Sequence, residues 1–350
     1  MKSVLRALES RNYRLFFAGQ GISLIGTWIT QVAEIWLVYH LTNSALWLGI
    51  VGFSSQIPNF VLAPFGGIFV DRWNRHHILI VTQVLSMFQS LALAFLTLTG
   101  AIAVWQIILL SLFQGFINAF DAPARQAFVT ELVEKKENLG NAIALNSSIF
   151  NGARLVGPAI AGVLIASVGT GVCFLIDGLS YIAVIAGLLA MKLKPRKIDQ
   201  QTANVWQRLK EGFNYAFGFP PIRAILLLLA LFSFMGMSYT VLVPIFAQEI
   251  LHGNAQTLGF LMSASGVGAL IGGIYLSSRQ SILGLGKIIV FSLGICGIGL
   301  VIFSHSRILW LSLLTMFIVG FCTILQVASS NTILQTIVEE DKRGRLMSFY

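Results

Sequence analysis

Apolar residues in this chain gather into ten long runs, without the strict alternation of apolar and polar positions that marks a half-buried strand. Each run approaches the ~20 residues that a helix needs to cross ~30 Å of bilayer hydrocarbon. The pattern therefore predicts an all-α membrane protein with ten transmembrane helices. These helices are expected to begin near Leu15, Leu46, Ile78, Val104, Ala142, Val172, Ile222, Leu258, Lys287 and Ile308.

The longest polar stretch, from Lys192 to Pro221, separates the sixth run from the seventh. Within it, apolar side chains share one helical face, which predicts an amphipathic helix in the lipid headgroup layer; a helix that binds a protein partner is the alternative. That face carries Val205, Trp206, Leu209, Phe213, Ala216 and Phe217. We expect an N-terminal six-helix bundle over 1–193, a cytoplasmic linker over 194–221 and a partial C-terminal bundle of four helices over 222–350.

The two halves of the chain resemble each other at a nearly constant offset. The residues Gly66, Gly67, Ile68 and Phe69 recur 206 residues later as Gly272, Gly273, Ile274 and Tyr275. Likewise, Leu132, Val133 and Glu134 recur 205 residues later as Ile337, Val338 and Glu339. Both matches fall at corresponding helix ends, which indicates duplicated six-helix halves. Because only four runs follow the linker, we expect that two further helices are missing from the chain.

Composition and charge support a lipid environment. Hydrophobic residues make up 56% and charged residues 11% of the chain, too little charge to solvate a globule of 350 residues. With the amino terminus in the cytoplasm, 21 of the 23 Lys and Arg fall in cytoplasmic segments, as the positive-inside rule requires; Arg154 and Arg307 are the exceptions. The net charge of +9 thus needs no nucleic-acid partner. A multi-pass protein of the cell (inner) membrane is expected, with the lipid bilayer as its surroundings.

A polar turn after the second run carries a recognisable motif. Gly67 is followed by Asp71, Arg72 and Arg75, in the order of the signature G-x-x-x-D-[RK]-x-G-[RK]-[RK]. The turn resembles this signature of the major facilitator superfamily, in which the acidic and basic residues latch the inner helix ends. Asn74 stands where Gly is usual, and His76 where a cation is usual. Asn is the residue that tolerates a left-handed turn best after Gly, so the change at position 74 is a mild departure from the signature.

The fifth run contains a second motif, built from small residues. Gly152, Gly157, Pro158 and Gly162 resemble the antiporter signature that ends G-P-x-x-G-G, with Ala161 replacing one Gly. Small residues at this spacing let helix backbones approach closely, and Pro158 is expected to bend the helix. General helix packing is the alternative explanation.

Three further segments extend the resemblance over the whole chain: Asn12 to Arg14, Asp121 to Arg125 after the fourth run, and Gly344 to Ser348. Together with the two motifs, they resemble the enterobactin-exporter-like, or transmembrane secretion effector, branch of the major facilitator superfamily. The resemblance implies two six-helix bundles and proton-driven efflux of siderophores, drugs or other amphipathic metabolites. It implies a small-molecule substrate, alternating access and no cofactor, with a proton gradient as the energy source.

Three ionisable residues lie within predicted helices: Glu34, Arg154 and Asp177. A charge at a helix centre costs about 2.5 to 3.5 kcal/mol on insertion scales, so each should face an interior or a watery cavity. Arg154 keeps its charge, which makes a carboxylate its natural counter-ion. We expect one carboxylate to hold Arg154 and the other, with Glu34 preferred, to carry the coupling proton. A static structural pair is the alternative.

No enzymatic constellation is visible in the sequence. The five His lie at helix ends or in loops without a second ligand at metal spacing, and the three Cys lie in separate apolar runs. We therefore expect neither an enzyme nor a bound metal. A proton-coupled exporter, an importer or facilitator on the same fold, and a receptor or scaffold without transport are the hypotheses, and a monomer is expected.

Overall fold

The structure of the protein is a computed structural model that describes residues 6–133, 138–192, 214–215, 217–279 and 283–338. For residues 63–68 and 71–72 it describes the backbone alone. The described ranges are predominantly α-helical and contain no β-strand. Ten helical segments in them are long and apolar enough to cross a membrane, which confirms the predicted all-α membrane fold.

The first six membrane helices belong to one compact unit, residues 1–201. Each helix begins within four residues of its predicted start, because a run of apolar residues that spans a bilayer is a local property of the sequence. The six helices are α1 (Arg11–Thr42), α2 (Ala45–Arg72), α3 (Arg75–Leu98), α4 (Val104–Leu132), α5 (Leu139–Val168) and α6 (Thr170–Leu189).

Alternate helix ends meet at one end of this unit, which we call the basic end because Arg11 and Lys192 lie there. The side-chain amide of Asn12 donates a hydrogen bond of 2.9 Å to the carbonyl oxygen of Lys192. The hydroxyl of Ser10 donates one of 3.0 Å to the carbonyl oxygen of Leu132. The start of α1 therefore lies beside the ends of α4 and α6, as helices that cross in alternating directions require.

Glycines set the closest helix contacts of the first unit. Helix α1 packs against α5 and α6, and α2 packs against α4. A Cβ atom at Gly19 of α1 would lie 3.0 Å from Cα of Val184 in α6. One at Gly115 of α4 would lie 2.5 Å from the carbonyl oxygen of Ser55 in α2. The approach at Gly115 is possible only without a side chain, and the one at Gly19 leaves little room for one. Close approach of this kind is how membrane helices gain packing contacts.

The other four membrane helices belong to a second unit, residues 202–350. Span α7 (Pro220–Ile250) has π-helical segments at Phe232–Gly236 and Phe246–Ile250. It is followed by α8 (Ala255–Ser277), α9 (Leu285–His305) and α10 (Leu309–Ile337). Helix α10 packs along both α8 and α9, whereas α8 and α9 have little contact with each other.

The predicted internal repeat is visible in the helix boundaries. Helices α4 and α10 both have 29 residues, and α10 begins and ends 205 residues after α4. Gly115 of α4 has its equivalent, 205 residues later, in Gly320 of α10, which meets the carbonyl oxygen of Ser265 in α8. Equivalent glycines thus allow the α2–α4 contact in the first unit and the α8–α10 contact in the second.

Some predictions concern residues outside the described ranges. The two units divide between Gln201 and Thr202, inside the predicted linker, but most of the predicted amphipathic helix, with Trp206 and Leu209, lies outside the described residues. The segment from Gly344 to Ser348 also lies outside them. The limits of the predicted domains and the linker helix stay predictions.

Candidate functional site

Asp177 lies deep inside the first unit, between α6, α3 and α1. Its position seven residues after the start of α6 places it about 10 Å from that helix end. The hydroxyl of Ser90 in α3 donates a hydrogen bond of 2.9 Å to Oδ2 of Asp177. On the other side, a Cβ atom at Gly26 of α1 would lie 2.7 Å from Oδ1, so glycine makes room for the carboxylate. With 2% of its surface exposed, Asp177 has little access to water in this arrangement.

Glu34 occupies a different place, between α1 and α4. It is half-buried, and its Oε1 accepts a hydrogen bond from the hydroxyl of Ser111 in α4. The oxygen of the same hydroxyl lies 2.7 Å from the carbonyl oxygen of Ile107, which is the alternative acceptor for its single hydrogen. Glu34 is eight residues from the end of α1, or about 12 Å along the helix, on the side away from the basic end. A carboxylate at this depth is costly to ionise unless water or a partner reaches it.

Arg154 lies in the middle of α5 and packs on an aromatic ring. Its guanidinium carbon is 5.8 Å from the ring centroid of Trp28 in α1, within the range of a cation–π interaction. Glu34 and Asp177 make their hydrogen bonds with α4 and α3, respectively. The pairing of Arg154 with one of these carboxylates stays a prediction.

The small-residue motif of α5 contacts α1 at one position and is open at another. A Cβ atom at Gly157 would overlap with the Cβ of Trp28, whereas one at Gly152 would meet nothing within 4 Å. Pro158 and Gly162 of the same helix are also buried. Gly157 therefore performs the close packing that the motif predicted, and it brings α1 against the turn of α5 that carries Arg154.

The polar turn between α2 and α3 does not use a left-handed residue at position 74. Asn74 has φ −69° and ψ 110°, an extended conformation, so its tolerance of the left-handed region is not used here. Its side chain instead accepts a hydrogen bond of 3.0 Å from the amide of His76 and caps α3, a role that Asn fulfils better than Gly. Gly67, Asp71 and Arg72 belong to the last turns of α2, and their side chains lie outside the described part of the chain.

Arg75 and His76 tie the start of α3 to neighbouring helix ends. Nη1 of Arg75 lies 2.9 Å from Oε1 of Glu131 and donates to the carbonyl oxygen of Ala127, both in the last turns of α4. Nε2 of His76 forms a hydrogen bond of 2.8 Å with the carbonyl oxygen of Leu188 at the end of α6. Arg75 thus contacts a helix end, as the motif predicted, and His76 also makes such a contact although it replaces the usual cation.

A further polar cluster was not predicted as a site. Asp121 and Arg125 lie within α4, because the helix continues beyond the fourth apolar run, through Pro123 to Leu132. Oδ2 of Asp121 lies 3.4 Å from Nη2 of Arg125, and its Oδ1 accepts hydrogen bonds from Thr82 and Gln83 of α3. The opposite charges four residues apart were the available sequence signal, since that spacing puts both side chains on one helix face.

Comparison with known proteins identifies the family of this chain and agrees with its helical membrane fold. A family model described as transmembrane secretion effector matches residues 2–350. The Staphyloferrin A transporter of Staphylococcus aureus is 26% identical over 337 residues, covering 96% of this chain and 84% of the relative. The enterobactin exporter EntS of Escherichia coli is 23% identical over 334 residues, covering 95% and 79%. The crystal structure of a bacterial homologue of the human lysosomal transporter Spinster aligns with a TM-score of 0.70 at 14% identity, covering 97% of this chain and 77% of that one.

Proposed function

Because the chain belongs to the transmembrane secretion effector family of the major facilitator superfamily, whose members are transporters and not enzymes, we propose that it exports a small amphipathic molecule by proton-coupled alternating access. The observation that carries this proposal is the family match over residues 2–350, nearly the whole chain. Relatives that match over most of this chain include a siderophore transporter and a siderophore exporter. A siderophore, drug or related metabolite is therefore the substrate class that we propose.

The proposed coupling residue is Glu34. A coupling carboxylate must lie within the membrane, yet it must also exchange its proton with water during the cycle. We propose Glu34 because its side chain is less buried than that of Asp177 by surface area and its partner Ser111 belongs to another helix, α4. Asp177 fits less well, since it is 2% exposed and enclosed by three helices. Arg154 would balance the charge of the carboxylate that stays ionised.

One proton provides enough driving force for useful export. A unit charge that moves through about 100 mV gains ~2.3 kcal/mol. This free energy supports a substrate gradient of roughly 50-fold. Neither a nucleotide nor a bound cofactor is needed for the proposed mechanism.

The proposed orientation places the amino terminus and the basic end on the cytoplasmic side of the cell (inner) membrane. The support is the distribution of 21 of the 23 Lys and Arg over segments on that side. At the basic end, Arg75 bound to Glu131 and the acidic and basic residues of the preceding turn would close the inner gate when the binding site faces outward.

Reconstitution tests the proposal directly. The chain is inserted into proteoliposomes that contain a lumenal pH dye, and a panel of siderophores and cationic drugs is added with and without an imposed pH gradient. An exporter that exchanges protons for substrate accumulates substrate in an acidic lumen and releases protons from it. Substrate movement without proton movement would indicate a facilitator, coupled movement in the same direction an importer, and no movement for any compound would contradict transport.

A further inference from the structure

A groove of about 500 Å³ opens between α8, α9 and α10 of the second unit. It exists because α10 packs against both α8 and α9, which have little contact with each other. Its walls are apolar and include Phe291, Ile295 and Phe321, whereas two cations, Arg279 and Lys287, lie at the end where α8 stops and α9 starts. No acidic residue is among the described residues that line it.

Arg279 and Lys287 are placed at the groove by the connection between α8 and α9 and by the first turn of α9. Nη2 of Arg279 donates a hydrogen bond of 3.0 Å to the carbonyl oxygen of Leu283, which holds the guanidinium beside the start of α9. Lys287 is exposed in the first turn of α9. Further along the same helix the exposed side chains are all apolar where they border the groove, with Phe291 69% and Ile295 48% exposed. The groove therefore has a cationic mouth and a hydrocarbon-like body.

The first unit contains an equivalent groove, and neither Lys nor Arg is among the described residues that line it. It measures about 740 Å³ and lies between α2, α3 and α4. All eleven residues that line the second groove are equivalent, at offsets of 205 to 210 residues, to residues that line the first. At two of these positions a cation stands in the second groove, because Arg279 is equivalent to Trp73 and Lys287 to His77. The internal repeat thus formed two equivalent grooves, and among the described lining residues the two permanent cations belong to the second.

We propose that the groove of the second unit is a binding site for an anionic phospholipid. The phosphate group would lie between Arg279 and Lys287, and an acyl chain would follow Phe291 and Ile295. Each Lys or Arg near a membrane surface attracts anionic lipid, and an apolar body selects a ligand that also has a hydrocarbon chain. The inference concerns the lipid environment of the transporter and is independent of which substrate it moves and in which direction.

Native mass spectrometry of the purified full chain tests this site by counting bound lipids. Phosphatidylglycerol is titrated into the protein in detergent, with phosphatidylcholine of the same acyl chains as the neutral comparison. Replacing both cations (Arg279→Gln with Lys287→Gln) is expected to weaken phosphatidylglycerol binding at the tightest site about 30-fold, and to leave phosphatidylcholine binding unchanged. The matched control neutralises two exposed cations of the first unit, Arg11→Gln with Arg14→Gln, and should keep the tightest site.

The repeat supplies a second, constructive test. The double substitution Trp73→Arg with His77→Lys gives the first groove the cations of the second, and it should add one bound phosphatidylglycerol. Both positions are exposed, so the fold should tolerate the change. Equal binding of both lipids to the wild-type protein, equal loss in the Arg11 and Arg14 control, or no additional lipid in this variant would each overturn the proposal. Competition by soluble glycerol 3-phosphate at the lipid's own concentration would also overturn it, because the acyl chain would then contribute nothing.

Discussion

Ser90 of α3 holds the carboxylate of Asp177 in α6 through a hydrogen bond of 2.9 Å, inside a helix bundle in which Asp177 is 2% exposed. Glu34 is held through the hydroxyl of Ser111 but remains half-buried. The two intramembrane carboxylates of the first unit thus have similar partners and differ in the exposed fraction of their side chains. This difference allows a structural role and a coupling role to be separated by experiment.

Glu34→Gln should abolish flux driven by a pH gradient and leave substrate binding intact but insensitive to pH. The reason is that glutamine keeps the size and the hydrogen bond with Ser111 but cannot exchange a proton. Flux in proteoliposomes and binding at several pH values are the measurements. Asp177→Asn is the matched control and should keep pH-driven flux, because Asp177 is enclosed by α1, α3 and α6. Normal pH dependence in both variants would exclude proton coupling through these residues.

Asp71→Asn should impair transport without unfolding the protein. The charged turn is expected to bias the inward and outward arrangements of the transporter by a few kcal/mol, and loss of one charge removes part of that bias. Flux and the accessibility of an engineered cysteine at the inner gate measure the two effects. Unchanged flux together with an unchanged equilibrium between the inward and outward arrangements would show that the motif only forms a solvated helix end.

Arg75→Gln and Glu131→Gln test whether Arg75 acts through its partner in α4. The pair is partly exposed, so it contributes roughly 0–1 kcal/mol to stability, and both variants should remain folded. If the pair acts as a unit, each variant impairs flux to a similar extent and the double variant impairs it no further. Additive losses would show that Arg75 works through a different contact.

Gly157→Ala should destabilise the protein, because the added methyl group would overlap with Trp28. Overpacking of this kind costs about 1–3 kcal/mol. Gly152→Ala, five residues earlier in α5, meets open space and should be neutral or stabilising. Thermal unfolding in detergent compares the two variants, and equal Tm values would show that α1 and α5 can separate without cost.

The proposed orientation predicts which positions react with a membrane-impermeant maleimide in intact cells. Asn74→Cys should react only after permeabilisation, whereas Arg307→Cys, exposed between α9 and α10, should react from outside. The native Cys296 and Cys322 are both 2% exposed and should stay unlabelled. Strong labelling of Asn74→Cys in intact cells would contradict the orientation.

The membrane helices could be predicted from the sequence because bilayer thickness imposes a length on each apolar run that is independent of tertiary contacts. The motif at Asp71, the charges of Glu34 and Asp177 within apolar runs and the repeat at Gly66 and Gly272 were recognisable without a structure because they are features of the local sequence. The apolar run did not reveal that α4 continues beyond Asp121 to Leu132, since a helix can extend past its apolar run and through a proline such as Pro123.

The sequence by itself determined the number of membrane helices, their approximate starts and the family of the protein, because these depend on local hydropathy and short motifs. Only the tertiary structure decided that Asn74 caps α3, that Arg75 binds Glu131, and that Asp177 is enclosed where Glu34 is not. It also showed that the repeat places Arg279 and Lys287 at the mouth of a duplicated groove. These features depend on which faces of distant helices meet, and that is fixed by close contacts between glycines and backbones rather than by any local pattern.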